Sequence, residues 1–281
     1  MGLKEVFVLP VARHWIAGTD MESAIKDAKA ANSKGIGAVV NFLGEEITDV
    51  TTVDAHQAEY LKLQKALAGS GVNGFASVKL TQLGLSISEE DARRRLGTVA
   101  ANASGLGQLL WIDMEGSQFT QSTISIYLDA LASYRGVGLV LQAYLRRSEE
   151  DIKTLLEHGG KMRLVKGAYR EQPDVVFTTR ESIQENFRKL MGRLFDQADG
   201  FAIATHDSSL IEDAKKLADS KHTKFRFEML KGIRDDLKAE LVSSGYTVFE
   251  YLPYGGSWYA YSKRRLTEHP SNIWLLLRSL V

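Results

Sequence analysis

Short apolar runs alternate along the chain with longer charged segments that have helical periodicity. Such apolar runs predict strands, and the amphipathic segments between them predict helices. The runs occupy residues 35–42, 74–80, 109–114, 137–144, 161–169, 200–207, 224–230 and 246–253. Repeated strand–helix alternation predicts a parallel sheet, and eight units in 281 residues favour a closed (β/α)8 barrel over an open doubly wound sheet.

Local signals mark where some of the helices begin. Ser88 and Ser148 each precede an acidic first turn, which is typical of a helix N-cap. A leading helix is predicted around residues 20–34, before the first strand. No Pro/Gly/Ser-rich linker divides the sequence, so we predict an α/β fold in a single domain over residues 1–281.

The composition is that of a globular protein and excludes several kinds of chemistry. The residues are 44% hydrophobic, and the 35 basic and 35 acidic side chains cancel, which argues against a nucleic-acid-binding protein. The absence of cysteine excludes disulfides, thiolate nucleophiles, Cys-ligated zinc and iron–sulfur clusters. It also fits a protein of the cell interior.

Neither terminus resembles a targeting or membrane-spanning segment. Pro10 and Arg13 interrupt the apolar N-terminal run, which makes it a poor signal peptide. The C-terminal run IWLLLRSLV is far shorter than the roughly 18 apolar residues of a membrane span. We predict a cytoplasmic protein, in which this run packs as the end of a helix or makes peripheral contact with a membrane.

Polar residues collect at the predicted C-terminal ends of the strands, where the active sites of (β/α)8 barrels lie. These residues are Glu45, Glu46, Lys79, Asp113, Glu115, Gln142, Arg163, Lys166, His206, Asp207, Glu228 and Tyr251. Because the strand ends meet at one mouth of a barrel, the pattern predicts an active site there.

Three groups of residues allow both a structural and a functional interpretation. Lys79 and Asp113 form either a structural ion pair of the barrel, which we favour, or a catalytic pair. Arg163 and Lys166 differ in strand parity, so both reach one ligand only if the regular pleat ends near Lys166. The adjacent guanidiniums of 264–265 suit a bidentate clamp for a small carboxylate, although a solvated basic turn has the same pattern.

The sequence also limits which cofactors can bind. The six histidines lack HxxxH and HxH spacing, so no metal site is expected, and His206 is a candidate base or phosphate ligand. The glycines form neither a dinucleotide-binding fingerprint nor a P-loop. Any nucleotide cofactor must therefore be held by the loops at the strand ends. A desolvated Lys166 or Lys79 could instead act as a Schiff-base nucleophile.

Taken in order, the motifs resemble the proline dehydrogenases, which are flavin-dependent enzymes on a distorted (β/α)8 barrel. The matching blocks are FLGE (42–45), SVKL (77–80), the D-x-E of WIDMEG (111–116), LQAYLRRSEED (141–151), RLVKGAY (163–169), ATHD (204–207), FEML-G (227–232) and Y-x-P…YxxRRLxE (251–268). RLVKGAY and the terminal RRLxE are the specific blocks.

The resemblance implies three sets of site residues. The set implied for catalysis is Lys79, Asp113, Arg264 and Arg265. The set implied for proline binding is Glu45, Leu230, Tyr251, Tyr261, Arg264 and Arg265. The set implied for flavin binding is Gln142, Arg163, Lys166, Gly167, Ala168, Thr205, His206 and Glu268.

Some of these residues have specific implied roles. Arg264 and Arg265 resemble the pair that binds the carboxylate of proline. Glu45 is similar to an acid that forms a gate-like ion pair with Arg264, and Arg163 is similar to the residue beside flavin N5. The implied reaction is hydride transfer from C5 of L-proline to flavin N5, which yields 1-pyrroline-5-carboxylate, the first step of proline catabolism to glutamate.

The resemblance also implies a cofactor and partners, and the chain departs from it in places. FAD is the implied cofactor, with FMN as the alternative, and a quinone is the implied electron acceptor. The aldehyde dehydrogenase module fused in some relatives is missing, which implies the monofunctional type and a separate pyrroline-5-carboxylate dehydrogenase downstream. Arg170 stands where many members have tryptophan, and Glu228 stands where glutamine is expected.

Three alternatives stay open from the residues alone. The first is a Schiff-base aldolase or transaldolase barrel that uses Lys166 or Lys79. The second is a non-catalytic barrel that binds an amino acid or serves as a subunit of an assembly. The third is a flavin oxidase of another secondary amine, such as an N-methylated amino acid, which the same arginines would bind equally well.

Overall fold

Eight parallel strands and the helices that connect them form the body of the protein. A computed structural model describes residues 12–221, 223–259 and 261–262. The strands are β1 (Gly37–Phe42), β2 (Gly74–Lys79), β3 (Leu110–Asp113), β4 (Val137–Gln142), β5 (Lys161–Val165), β6 (Phe201–Ala204), β7 (Phe225–Leu230) and β8 (Val248–Tyr254). The α-helices are α1 (Met21–Asn32), α2 (Val50–Gly69), α3 (Glu89–Gly105), α4 (Ser117–Ser133), α5 (Ser148–Glu157), α6 (Arg180–Gln197), α7 (Ser208–Lys221) and α8 (Asp235–Ser243), and a 3-10 turn covers Leu80–Leu83.

The strands close into a barrel in chain order, with β8 paired to β1. Every strand lies parallel to both of its neighbours. The predicted (β/α)8 fold and its eight strands are therefore confirmed. The largest differences are at the ends of β5 and β6, which stop at Val165 and Ala204, before the residues that were predicted to continue them.

The helix starts agree with the sequence in two cases and differ in one. The leading helix α1 begins after Asp20, whose side chain accepts a hydrogen bond from the backbone N–H of Ser23. Ser88 caps α3 as predicted, because its Oγ accepts from the N–H of Asp91 at 3.2 Å. The prediction for Ser148 was wrong: it is the first residue of α5 and is buried, so its hydroxyl donates to the carbonyl of Gln142 instead.

The inside of the barrel has a mainly apolar half, into which the side chain of Arg226 also extends, and a charged half. The apolar half lies toward the N-terminal ends of the strands, and its buried residues are Val39, Phe75, Trp111, Ala202 and Phe249. A much larger apolar cluster lies between the outer face of the sheet and the helices. The core that stabilises the fold is thus separate from the C-terminal mouth, which is left for polar groups.

Two expectations about the ends of the chain are not tested. Within the described ranges, no helix is both long and apolar enough to span a membrane. The C-terminal run IWLLLRSLV lies outside the described residues, so peripheral membrane contact stays a prediction. The single domain over residues 1–281 also stays a prediction.

The barrel interior depends on a glycine opposite its largest side chain. Gly138 of β4 pairs in register with Trp111 of β3, and a Cβ at Gly138 would overlap the indole ring. We expect Gly138→Ala to lower the free energy of unfolding by about 1–3 kcal/mol, because the ring must move in a closed barrel. Urea denaturation measures the change.

Gly97 provides the matched control for this substitution. It lies in α3, where a Cβ meets nothing within 4 Å. We expect Gly97→Ala to leave stability unchanged or to raise it by up to about 1 kcal/mol, because alanine has the higher helix propensity. Equal effects of the two substitutions would contradict the packing argument.

Candidate active site

The C-terminal mouth of the barrel holds a cluster of polar side chains around one carboxylate. Asp113 ends β3 and lies in register with Lys79, the last residue of β2. Side chains alternate between the two faces of a strand, so Ser77 points into the barrel on the same face as Lys79. Arg163 of β5 and Tyr251 of β8 reach the same carboxylate. We call these five residues the Asp113 cluster.

Four donors converge on the two oxygens of Asp113. Its Oδ1 accepts from Ser77 Oγ at 2.6 Å and from Nη2 of Arg163. Its Oδ2 accepts from Lys79 Nζ and from the hydroxyl of Tyr251, both at 2.7 Å. Asp113 is only 7% exposed, so these bonds replace the water that an ionised carboxylate needs.

The charged groups of the cluster keep one another ionised. Burial opposes ionisation of Asp113, but Lys79 and Arg163 hold the pKa of its carboxyl well below the usual value. Burial likewise disfavours the ammonium of Lys79, yet Asp113 raises the pKa of that group well above its ordinary value. Lys79 is therefore a fixed cation at neutral pH. A Schiff-base nucleophile must be a neutral amine, so Lys79 is unsuited to the aldolase alternative.

Arg163 links the Asp113 cluster to a second buried carboxylate. Its Nη1 donates to Glu228 Oε2 at 2.8 Å, and its Nη2 also donates to Ser77 Oγ at 3.1 Å. The guanidinium carbon lies 5.3 Å from the ring centre of Trp111 and 5.5 Å from that of Tyr251. Ion pairs and aromatic faces together hold this side chain in one place.

The ends of β5 and β6 form a second polar group. The regular pleat of β5 ends at Val165, so the condition under which Arg163 and Lys166 reach one ligand is met. Lys166 Nζ bonds Asp207 Oδ2 at 2.7 Å. Burial opposes the charge of Asp207, but hydrogen bonds from Lys166 and Gln184 lower its pKa to about 2. This ion pair holds Lys166 at the rim of the mouth.

The other predicted flavin contacts lie in the same region. Thr205 is buried at the end of β6, and the Nε2 atom of His206 accepts a hydrogen bond from the backbone N–H of Leu230 at 2.9 Å. This bond joins a predicted flavin contact to a predicted wall of the substrate pocket. Gly167 adopts φ 112°, and a Cβ there would overlap the ring of Tyr144.

Gln142 tests whether these residues fit a flavin. Its Nε2 donates to the carbonyls of Met114 and Glu115, and its buried Oε1 has no partner within the described ranges. An unsatisfied buried acceptor is costly, so this oxygen suits a ligand that donates an N–H. The flavin ring carries one such donor beside two carbonyl oxygens, for which Arg163 and Lys166 would be the donors. The residues present fit a flavin.

Two acids lie near the β1 end of the mouth. Glu45 is half-buried in the loop after β1. Glu115 is buried and binds Thr81 twice, accepting from its backbone N–H at 3.0 Å and from its hydroxyl. Thr81 Oγ1 in turn accepts from the backbone N–H of Glu46, which has φ 51°. Glu115 therefore fixes the loop that carries Glu45.

Some predicted site residues lie at the edge of the described region or beyond it. Tyr261 is buried in a cluster with Leu43 and Trp258, next to the end of β1. The predicted catalytic pair of 264–265 and the predicted flavin contact Glu268 lie outside the described residues. Ala168 and Arg170 are exposed in the loop after β5.

Sequence reasoning missed three residues that the structure brings to the site, and it gave a fourth no specific role. Ser77 shares the face of Lys79, so strand parity was a usable signal. Trp111 has the same relation to Asp113, but it was considered only as part of the apolar run 109–114. Thr81 had no signal, because its contact with Glu115 depends on how the chain turns after β2. Asp207 was noted at a strand end, but it was not included among the expected site residues.

Glu115 should make stability depend on pH. Burial raises its pKa from 4.5 to about 7 in the folded protein, and the charge of Lys79 and the hydrogen bonds from Thr81 oppose this only in part. The native state then holds a proton that the unfolded chain has lost, so stability falls as pH rises from 4.5 through 7. We therefore compare the unfolding free energy of Glu115→Gln with that of wild type at about pH 5 and at about pH 8. The difference should shift by about 2 kcal/mol in favour of the variant at the higher pH.

The control is Glu90→Gln, since Glu90 is exposed in α3. Chemical denaturation at both pH values should give this variant the same pH dependence as wild type. If Glu115→Gln also follows the wild-type curve, Glu115 is not desolvated as described.

Comparison with known proteins identifies the family. The proline dehydrogenase family model matches residues 24–273. Proline dehydrogenase 2 of Bacillus subtilis is 35% identical over 282 residues, which cover 96% of this chain and 93% of that protein. The proline dehydrogenase of Deinococcus radiodurans is 31% identical over 283 residues, which cover 96% of this chain and 90% of that protein.

A solved structure agrees with the fold. The crystal structure of proline utilization A from Bdellovibrio bacteriovorus, inactivated by N-propargylglycine, superposes with a TM-score of 0.87 at 25% identity. The superposition covers 94% of this chain but 33% of that one, so this chain corresponds to about a third of the larger protein. With a family match over most of its length and relatives above 30% identity, the chain belongs to the proline dehydrogenase family.

Proposed function

We propose that this protein oxidises L-proline to 1-pyrroline-5-carboxylate with a bound flavin. The observation that carries the proposal is the Asp113 cluster, in which Lys79, Arg163 and Tyr251 converge on one buried carboxylate at the mouth of a family barrel. These are the residue types at the strand ends that the family resemblance implies. The fixed charge of Lys79 also removes one of the two lysines on which the aldolase alternative depends.

The proposed proline site combines the Asp113 cluster with residues near the end of the sequence. Arg264 and Arg265 are the proposed clamp for the carboxylate, because two guanidinium forks match its geometry. Leu230, Tyr251 and Tyr261 are the proposed walls around the apolar ring. Glu45 is the proposed partner of Arg264. The hydrogen bonds that Thr81 donates to Glu115 and accepts from the backbone N–H of Glu46 support a fixed position for the loop of Glu45.

Within this arrangement, Asp113 orients Tyr251, and Lys79 contributes positive charge next to the proposed substrate site. Tyr251 donates its hydroxyl proton to Asp113 Oδ2, so the orientation of this proposed pocket wall depends on the carboxylate. Positive groups close to the substrate disfavour the protonated form of its amine. The neutral amine is the form that can lose a hydride from the adjacent carbon, so the cluster favours the reactive species.

The proposed flavin site is formed by the ends of β4, β5 and β6. Gln142 would accept from the ring N–H, and Arg163 and Lys166 would donate to its polar edge. The further proposed contacts are Gly167, Ala168, Thr205, His206 and Glu268. A bound flavin would supply the two-electron acceptor for the reaction, while the protein supplies binding and orientation. FAD is the proposed form and FMN the alternative.

The electrons and the product need further partners. We propose a quinone as the final electron acceptor. The product, an imine with a carboxylate, would pass to a separate pyrroline-5-carboxylate dehydrogenase. Arginines that hold a carboxylate serve other N-alkylated amino acids equally well, so oxidation of another secondary amine is the second candidate function.

The absorption spectrum tests the function directly. We expect the purified protein to have the visible bands of an oxidised flavin, and these bands should bleach on anaerobic addition of L-proline. Flavin bands that L-proline leaves unchanged would redirect the assignment to another secondary amine. A protein that binds neither FAD nor FMN on reconstitution would contradict the proposal.

Arg265 tests the proposed carboxylate clamp. We expect Arg265→Ala to lower kcat/KM for L-proline about 100-fold, which corresponds to the loss of a charge-assisted interaction of roughly 3 kcal/mol. Steady-state kinetics with an artificial electron acceptor provide the measurement. The control is Arg94→Ala, because Arg94 is exposed in α3 and pairs with Asp91 of the same helix. Unchanged kinetics for Arg265→Ala would exclude this residue from the clamp.

A further inference from the structure

Glu228 is a buried carboxylate with three partners inside the barrel. It is 3% exposed. Its Oε2 accepts from Nη1 of Arg163 at 2.8 Å, and its Oε1 accepts from Trp111 Nε1 at 2.9 Å and from Arg226 Nε at 2.8 Å. Burial opposes its charge, but Arg163 and Arg226 hold the pKa of this carboxyl below the usual value, so it is ionised at neutral pH.

Arg226 supplies the charge on the far side of Glu228. Its guanidinium carbon lies 4.9 Å from the ring centre of Phe75, 5.2 Å from that of Trp111 and 5.0 Å from that of Phe249. The negative faces of aromatic rings stabilise a cation at such distances. Arg226 also borders a cleft at the N-terminal end of the barrel, on the side away from the proposed active site.

These ion pairs form a line of alternating charges across the barrel. We call it the barrel charge chain, and its order is Lys79, Asp113, Arg163, Glu228, Arg226. Three cations and two anions leave one net positive charge. Each charge is separated from the next by one hydrogen-bonded contact, so a change at the Arg226 end alters the potential at Arg163.

Glu228 also stands where the family resemblance leads us to expect glutamine. Glutamine can accept a hydrogen bond from Arg163, but it cannot neutralise its charge. A glutamine in this position would leave the buried chain with two net positive charges instead of one. The net charge around Arg163 therefore depends on the glutamate at position 228.

We propose that Glu228 and Arg226 are positioning residues that act through Arg163. They set the electrostatic potential that Arg163 creates at the flavin, and with it the flavin reduction potential. The proposal rests on the proposed function, in which Arg163 contacts the flavin. Reduction adds electron density to the flavin, so nearby positive charge favours the reduced form. Glu228 lowers the reduction potential by partly neutralising Arg163, and Arg226 opposes that effect by partly neutralising Glu228.

The two residues should act in opposite directions, which separates an electrostatic role from a structural one. We expect Glu228→Gln to favour the reduced flavin about tenfold, which for a two-electron couple raises the midpoint potential by about 30 mV. We expect Arg226→Gln to lower the midpoint potential by a smaller amount, since Arg226 is one contact further away. Arg226→Lys keeps the charge and should stay close to wild type. Potentials are measured by anaerobic equilibration with a redox dye.

Glu250→Gln is the matched control. Glu250 lies on β8 and pairs with Lys238, which is buried against the outer face of the barrel. The substitution removes a carboxylate from a buried ion pair just as Glu228→Gln does, but away from Arg163. It should lower thermal stability and leave the midpoint potential at the wild-type value.

The outcomes separate this proposal from the proposed function. Opposite shifts for Glu228→Gln and Arg226→Gln support it. Shifts of the same sign, or unchanged potentials in variants that bind flavin and oxidise L-proline, overturn the charge role and leave the proposed function intact. A protein that binds no flavin after reconstitution overturns both. If Glu228→Gln fails to fold, an unchanged potential in Arg226→Gln is sufficient to overturn the proposal.

Discussion

The buried carboxylate of Asp113 is the group on which the rest of the site depends. Donors from β2, β5 and β8 converge on its two oxygens, so strands far apart in sequence are joined through one side chain. An ionised carboxylate without these partners would cost several kcal/mol at such burial. Ser77, Lys79 and Arg163 are themselves buried, and the two cations need the negative charge of Asp113 in return. The buried charges are therefore paired only when the barrel is closed, and the closed barrel is stable only when these charges are paired.

This mutual compensation decides what kind of chemistry the residues can perform. Lys79 and Arg163 are held as cations by two carboxylates, so they act through charge and position and not as nucleophiles. Such a site suits a substrate that carries a carboxylate and reacts as a neutral amine. The electron transfer itself belongs to a cofactor, and Gln142 Oε1, which has no hydrogen-bond partner among the described residues, offers a contact for it.

The division of the barrel interior explains how one small space holds both a core and a site. Trp111 and its apolar neighbours pack together in the N-terminal half of the barrel interior. Trp111 also donates a hydrogen bond to Glu228, so a residue of the apolar cluster fixes the position of a carboxylate that pairs with Arg163. The alternation of β-strand side chains produces this arrangement, because residues two apart on a strand point to the same face and lie at successive depths.

The sequence by itself determined the strand–helix order, the eight strands, the family and the mouth at which polar groups collect. These follow from hydrophobic periodicity and from motif order, which are local properties of the chain. It indicated the Lys79–Asp113 ion pair, which the structure confirms, but not the further donors to Asp113 from Ser77, Arg163 and Tyr251. The cap assigned to Ser148 failed because its hydroxyl binds a carbonyl six residues earlier. The bonds from Thr81 to Glu115 and from Arg163 to Glu228 join residues from different parts of the barrel, so they depend on how those parts are placed in the closed sheet. Contacts between residues far apart along the chain, together with burial, fix which charges meet and which groups stay ionised, and only the tertiary structure decides both.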